Sequence, residues 1–385
     1  MRDNMQRIFE YIKQQINDLD IFKVISNDNK DLYTIRNSLS DCEKILVFGI
    51  GGSSLGGKCL VKFGCIMDDL DERVVFIENV DPISFLRTIN RCNQDKTGII
   101  VISKSGKTTE TLMLFLTLVN LWKDFDHKRR TVVITENSEN NPLRDIAFDL
   151  GARILDHHKN IGGRYSVFSN VGLLPAVLND INIESFLDGA KTVITEILET
   201  QDIEDCPIVK DIYMMDKAFN TKSEHVVMCY SDAFIEYGKW YSQLLSESLG
   251  KDGFGITPIP ATGTVDQHSL LQLFMGGPKN KLFTIITQKR QLETPKITSK
   301  YSAINNHNIA DLMVAHQHAT IETIKKIASV RVLNFEQFSV NTLGFLMALS
   351  FVEIIMIGQL HDINPFDQPN VEEQKVLVQE YLKVQ

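Results

Sequence analysis

The chain has 385 residues, 43% of them apolar and 23% charged, the make-up of a soluble globular protein with room for two or three domains. A net charge of −9 argues against a nucleic-acid footprint, which shows as net or clustered positive charge. The six cysteines form no C-x-x-C pair and read as reduced, buried thiols, not as a disulfide framework or zinc site.

In chain order, residues 1–15 read as the start of an amphipathic helix and not as a signal peptide. Strands are expected at 44–50, 74–77, 99–103, 132–135 and 153–155. Helical stretches at 109–122 and 143–150 lie between them, the second stopped by Gly151. The basic cluster His127-Lys128-Arg129-Arg130 reads as a solvated helix end. Strand–helix alternation predicts an α/β fold with a mostly parallel sheet flanked by helices, which binds ligands at the carboxyl ends of its strands. After the polar stretch 199–207 the pattern resumes with a strand at 225–231 and a helix at 233–249 ended by Gly250. Strands at 256–259 and 282–286 and helices after Asn308 and Asn334 follow. The halves read as one kind of unit used twice, although no residue-level repeat joins them. Residues 338–360 have the length and apolarity of a membrane span, but Asn341, Glu353 and Gln359 interrupt them, so a buried helix is expected. The tail, 371–385, reads as helical and charged, and the chain is expected to be cytoplasmic, with no membrane or nucleic-acid partner.

Two loops carry the first functional signal. Gly49-Ile50-Gly51-Gly52-Ser53-Ser54-Leu55-Gly56-Gly57-Lys58 follows the strongest strand, and glycines let a backbone approach an anion closely. The dinucleotide pattern fails at Ser54, and the P-loop pattern fails at Cys59, where the magnesium-binding hydroxyl should stand. The second loop is Ser103-Lys104-Ser105-Gly106-Lys107-Thr108-Thr109-Glu110-Thr111. It joins a strand to a helix with more hydroxyls than capping requires, together with two lysines. Side by side, the loops make a phosphate pocket, with Ser53 reaching in from the glycine turn.

Candidates for acid–base work lie elsewhere. Gln243 and Glu247 stand four apart and share a helix face. Arg164 sits in the sharply turned GGRYS segment, expected to be exposed, and His268 in a loop leading into a helix at 269–274. Lys375 follows Phe366-Asp367-Gln368. No metal is expected: His157-His158 and His316-x-His318 lack companion ligands at convincing spacing. No cofactor is expected either.

GIGGSSLG, SKSGKTTET, GGRYS, QLLSESLGK, the DQH around His268 and FDQPNVEEQK together resemble the glucose-6-phosphate isomerase family over residues 45–375. The resemblance implies two sugar-isomerase (SIS) domains at 41–200 and 201–365, after an N-terminal helical segment (1–40) and before a catalytic loop and helix (366–385). By the same resemblance Gly52, Ser53, Ser103, Lys104, Ser105 and Thr108 hold the sugar phosphate, with Gln243 and Gln368 lining the site. Glu247 matches the base that moves a proton between C2 and C1, and Arg164 the cation beside the enediolate. His268 and Lys375 match the ring-opening pair. In that family the histidine comes from a neighbouring subunit, so the resemblance implies a homodimer. Lys107 and Asn370 depart from the family pattern. A relaxed isomerase that also takes mannose 6-phosphate and a non-catalytic phosphosugar-binding regulator are the alternative readings.

Overall fold

The computed structural model of the chain describes residues 2–384. Two parallel sheets organise it. The first contains β1 (Lys44–Phe48), β2 (Val74–Ile77), β3 (Thr97–Ile102), β4 (Thr131–Thr135) and β5 (Arg153–Asp156), in the order β2-β1-β3-β4-β5. The second contains β6 (Glu224–Cys229), β7 (Thr257–Thr262), β8 (Lys281–Gln288) and β9 (Val330–Phe335), in the order β7-β6-β8-β9. The second sheet repeats the order of the first with one strand fewer. That is the doubling the sequence suggests without a residue-level repeat.

The apolar runs explain the central strands. All six residues of β3 are buried, as a strand covered by helices on both faces requires. Phe48 at the end of β1 aligns with Val101 of β3, and strand order reverses between these two strands. The crevice beyond their carboxyl ends is therefore the switch point at which such sheets bind ligands. The glycine turn leaves β1 and the hydroxyl-rich loop leaves β3, so topology brings the two together.

The largest buried cluster lies between the sheets and draws on both, with Ile45, Val47 and Ile100 on one side and Val227, Cys229 and Ile286 on the other. Helix Val340–Leu360 runs through it. This is the apolar segment weighed as a membrane span, and 89% of its apolar window is buried inside the protein. It packs on helix Ile183–Glu199 at backbone distance. A Cβ on Gly189 would lie 1.9 Å from the Asn341 carbonyl oxygen, and one on Gly344 1.8 Å from that of Phe186. Only glycine permits that approach.

Several expectations are corrected. β9 is not among the expected strands: its Arg331 and Asn334 break the apolar pattern, and Arg331 is tolerated half-buried because Glu353 and Asp211 pair with it. The basic cluster at 127–130 is not a solvated end. His127 and Arg130 are buried, and Arg130 donates to Asp41 at 2.8 Å. His268 lies within a short helix, Val265–Ser269, ahead of Leu271–Gly276, because Asp266 accepts from the Thr262 amide and the Ser269 hydroxyl. The GGRYS segment is a 3-10 turn, Gly163–Phe168, that is buried from Arg164 onward.

Candidate active site

The two loops are built differently. In the β3 loop Gly106 adopts φ +66°, and a Cβ there would collide with Asn141 Oδ1. The Gly106 carbonyl accepts from the Leu143 amide, so this turn is locked onto the next helix of the sheet. Ser103 and Thr108 hydroxyls meet at 2.9 Å, and Ser105 Oγ accepts from the Lys107 amide at 3.2 Å. Thr108 precedes helix Thr109–Leu121 without capping it, which leaves the first-turn amides of that helix to an anion. Lys104 is only partly available, because its ammonium stands 3.4 Å from Glu136. Lys107 is exposed and takes part in no ion pair among the described residues.

The glycine turn is a 3-10 turn, Gly51–Ser53, that feeds helix Leu55–Met67 with no side-chain cap. Ser53 is half-buried at its end, while Ser54 turns away to donate to Glu78 at 2.8 Å. Lys58, which completes the partial P-loop pattern, is bonded to Glu78 and so faces away from an anion between the loops. Gly52 packs directly on the GGRYS turn: its carbonyl accepts from Ser166 Oγ at 3.1 Å. A Cβ on Gly51 would lie 3.1 Å from Gln243 Nε2, so the glycine turn touches the acid–base helix.

Helix Ile235–Leu249 presents Gln243 and Glu247 on one face, and Gln243 Nε2 donates to Glu247 Oε1 at 2.8 Å. Gln243 Oε1 is buried and has no hydrogen-bond partner among the described residues. Arg164, 4% exposed, reaches the other carboxylate oxygen of Glu247 with Nη1 at 3.3 Å and Gln368 Oε1 with the same nitrogen at 2.9 Å. Its Nη2 donates to the Pro365 and Asp367 carbonyls at 2.7 and 2.9 Å, and its Nε to Ser248 Oγ at 2.8 Å. Thus Arg164, Gln243, Glu247 and Gln368, from three distant segments, form one hydrogen-bonded cluster. A half-buried carboxylate beside a fixed guanidinium can take a proton alpha to a carbonyl while the cation meets the charge that develops on oxygen.

Two expected residues lie at the surface instead. His268 is exposed, and among the described residues no hydrogen bond or ion pair links it to Glu247, Arg164, Gln243 or Gln368. Lys375 lies on the exposed helix Glu372–Val384. Three supporting residues are not singled out by the sequence reading. Tyr165 and Ser248 each adjoin a chosen residue in a quoted motif, which is the available signal. Tyr165 OH donates to the Pro365 carbonyl at 3.1 Å and meets Ser248 Oγ at 3.0 Å. Burial pushes its pKa up to about 12, so it stays a donor at neutral pH. Lys251, just past Gly250, is buried and donates to the Asn364 carbonyl and the Asp367 carboxylate. That hydrogen bond holds the Asp367 carboxyl below the usual carboxylate range.

Fold and site define an α/β class with doubled parallel sheets, a crevice lined by a glycine turn and a hydroxyl-rich loop, and an adjoining carboxylate–guanidinium pair. Family comparison agrees: the phosphoglucose isomerase model matches residues 11–384, and the chain belongs to that family of sugar-phosphate isomerases. It is 33% identical over 387 residues to a probable glucose-6-phosphate isomerase of Methanococcus maripaludis, covering 98% of this chain and 87% of that one. A hypothetical protein of Thermus thermophilus superposes with a TM-score of 0.88 at 28% identity, covering 98% and 94% of the two chains. A glucose-6-phosphate isomerase of Chlamydia trachomatis shares the fold, with a TM-score of 0.76 at 22% identity over 92% of this chain and 72% of that one.

Proposed function

We propose that the chain interconverts D-glucose 6-phosphate and D-fructose 6-phosphate through a cis-enediol, in glycolysis and gluconeogenesis in the cytoplasm. The observation that carries this reading is the pairing of Glu247 with Arg164 next to the glycine turn. Glu247 removes the C2 proton of the open aldose, the C1–C2 bond gains its second pair, and the carbonyl electrons move onto O1. Arg164 Nη1 faces that oxygen. Passage of the O2 proton to O1, by way of the enediol, and return of the first proton from Glu247 to C1 give the ketose. Gln243 and Gln368 receive sugar hydroxyls, a role that the unpartnered Gln243 Oε1 supports.

The phosphate sits between Gly52–Ser53 and Ser103–Thr108, on Ser103, Ser105, Thr108, Lys104 and the helix amides. His268 and Lys375 open the sugar ring, with His268 supplied by a second copy of the chain. Its exposure apart from its own Glu247 supports that origin. Residues 41–200 and 201–365 are the two sheet-bearing domains in this reading.

A coupled assay of fructose 6-phosphate conversion tests it. The parent turns over and Glu247→Gln does not; equal rates would remove Glu247 as the base.

A further inference from the structure

Arg164 has five N–H donors, and the structure uses each once. Nη1 serves Glu247 and Gln368, Nη2 serves the carbonyls of Pro365 and Asp367, and Nε serves Ser248. The guanidinium therefore has two edges of different character. Nη1 meets two side chains that can rotate away, one of them exposed. Nε meets the fully buried Ser248 hydroxyl, and Nη2 meets two backbone carbonyls, that of buried Pro365 and that of exposed Asp367.

The hydrogens on that anchored edge have one consistent arrangement. The Pro365 carbonyl can only accept, so the Tyr165 hydroxyl proton points to it. Ser248 then donates to the Tyr165 oxygen, and the Ser248 lone pairs are left for Arg164 Nε. Arg164 Nη2 closes the ring by donating to the same Pro365 carbonyl. Each member is buried, and Tyr165 is wedged between Phe351 and Phe366 with ring centroids 5.0 and 5.4 Å away. Ser248 also neighbours Glu247 in the chain, so one short piece of helix carries the carboxylate and the anchor of the cation that faces it.

We propose that Ser248 and Tyr165 are positioning residues of the isomerisation. Their closed ring holds Arg164 by its Nε/Nη2 edge, so that only the Nη1 edge beside Glu247 is offered to the reacting oxygen. This rests on the isomerase reading above. Without the Ser248 hydroxyl, Nε loses its acceptor and the guanidinium can swing about its stem. That misplaces charge in the transition state more than it weakens ground-state binding. Tyr165 acts one bond further out, so its loss costs less.

The test is steady-state kinetics with glucose 6-phosphate and fructose 6-phosphate on the parent, Ser248→Ala, Tyr165→Phe, Arg164→Lys and Arg164→Lys/Ser248→Ala, each with a thermal melt. Ser248→Ala is expected to lower kcat about 10- to 100-fold while KM moves less than about threefold. Tyr165→Phe lowers kcat about three- to tenfold in the same pattern. Lysine has no Nε for Ser248 to hold, so the serine deletion costs at most about twofold more in the Arg164→Lys background. Ser248→Thr, which keeps the hydroxyl, recovers most of the rate.

An unchanged kcat in Ser248→Ala overturns the positioning role alone. So does a loss that persists in full beside Arg164→Lys, which marks general damage. If Ser248→Ala gives no cooperative melt, Tyr165→Phe decides by the same kcat-against-KM criterion. A parent that melts cooperatively yet converts neither sugar phosphate overturns the isomerase reading, and this inference with it.

Discussion

Gly52→Ala isolates the contact between the glycine turn and the Arg164 turn. Gly52 is not among the glycines with positive φ, so alanine can adopt its backbone and the penalty is steric. An ideal Cβ would lie 2.2 Å from the Gly163 carbonyl carbon and 2.6 Å from the Arg164 amide nitrogen. Both obstacles are backbone, so no side chain can rotate aside. Reaching a van der Waals distance near 3.4 Å requires about 1.2 Å of movement between the two turns. The Ser166–Gly52 hydrogen bond at 3.1 Å is lost with it. Overpacking of this kind costs about 1–3 kcal/mol, and for a chain this long that is a fall in Tm of about 1–4 °C. A 1 Å misplacement between phosphate and acid–base groups costs about 100-fold in rate. Initial rates and thermal melts of Gly52→Ala give both numbers, and parent-like kcat/KM and Tm would refute the steric argument. Gly57 stands in the same motif with the opposite forecast. A Cβ there meets its nearest atoms at 3.4–3.6 Å inside a helix, so Gly57→Ala raises stability by about 0.5–1 kcal/mol.

Glu247→Gln removes the proposed base but keeps a similar shape, so kcat is expected to fall at least about 100-fold with KM little changed. Ser103→Ala takes one hydroxyl from the proposed phosphate loop and is expected to raise KM for the sugar phosphate about tenfold, read from initial rates against substrate concentration. His157 and His225 are buried neutral: burial holds their pKa values at about 4 and about 3, below the ordinary 6.5. As pH falls below about 6.5 the unfolded chain takes up protons that the folded chain refuses, so stability drops toward pH 4. At pH 5 the two histidines together cost about 4 kcal/mol, and His157→Gln removes about half of that pH dependence in urea melts at pH 7 and pH 5. An equal drop in parent and variant would refute the assignment.

The parts of the structure legible in the sequence are those with a local signature. Val74–Ile77 falls where its apolar run places it, and the two loops sit at strand ends because strand, glycine or hydroxyl cluster, and helix follow one another in the chain. Glu247 and Gln243 face one way because they are one helical turn apart. What stays hidden depends on distant partners. Arg164 reads as an exposed loop residue until the carbonyls of Pro365 and Asp367, some 200 positions on, enclose it. Arg331 argues against a strand until Glu353 and Asp211 neutralise it. Lys251 is buried because the turn at 364–367 supplies a carbonyl and a carboxylate. None of these pairings leaves a trace in the neighbouring residues.

The glycine-to-backbone contact of helices Ile183–Glu199 and Val340–Leu360 bears on how the chain is made. During synthesis the first sheet and helix Ile183–Glu199 leave the ribosome some 150 residues before their partner helix exists. Until it arrives, Phe186 keeps its stacking on Phe168, but the face around Gly189 that meets the late helix has no cover. The late helix is then the longest apolar helix among the described residues, too oily to wait in water. Nascent chains stopped short of residue 340 are therefore natural clients for chaperones, and the first sheet acquires its full core only when the second half is complete.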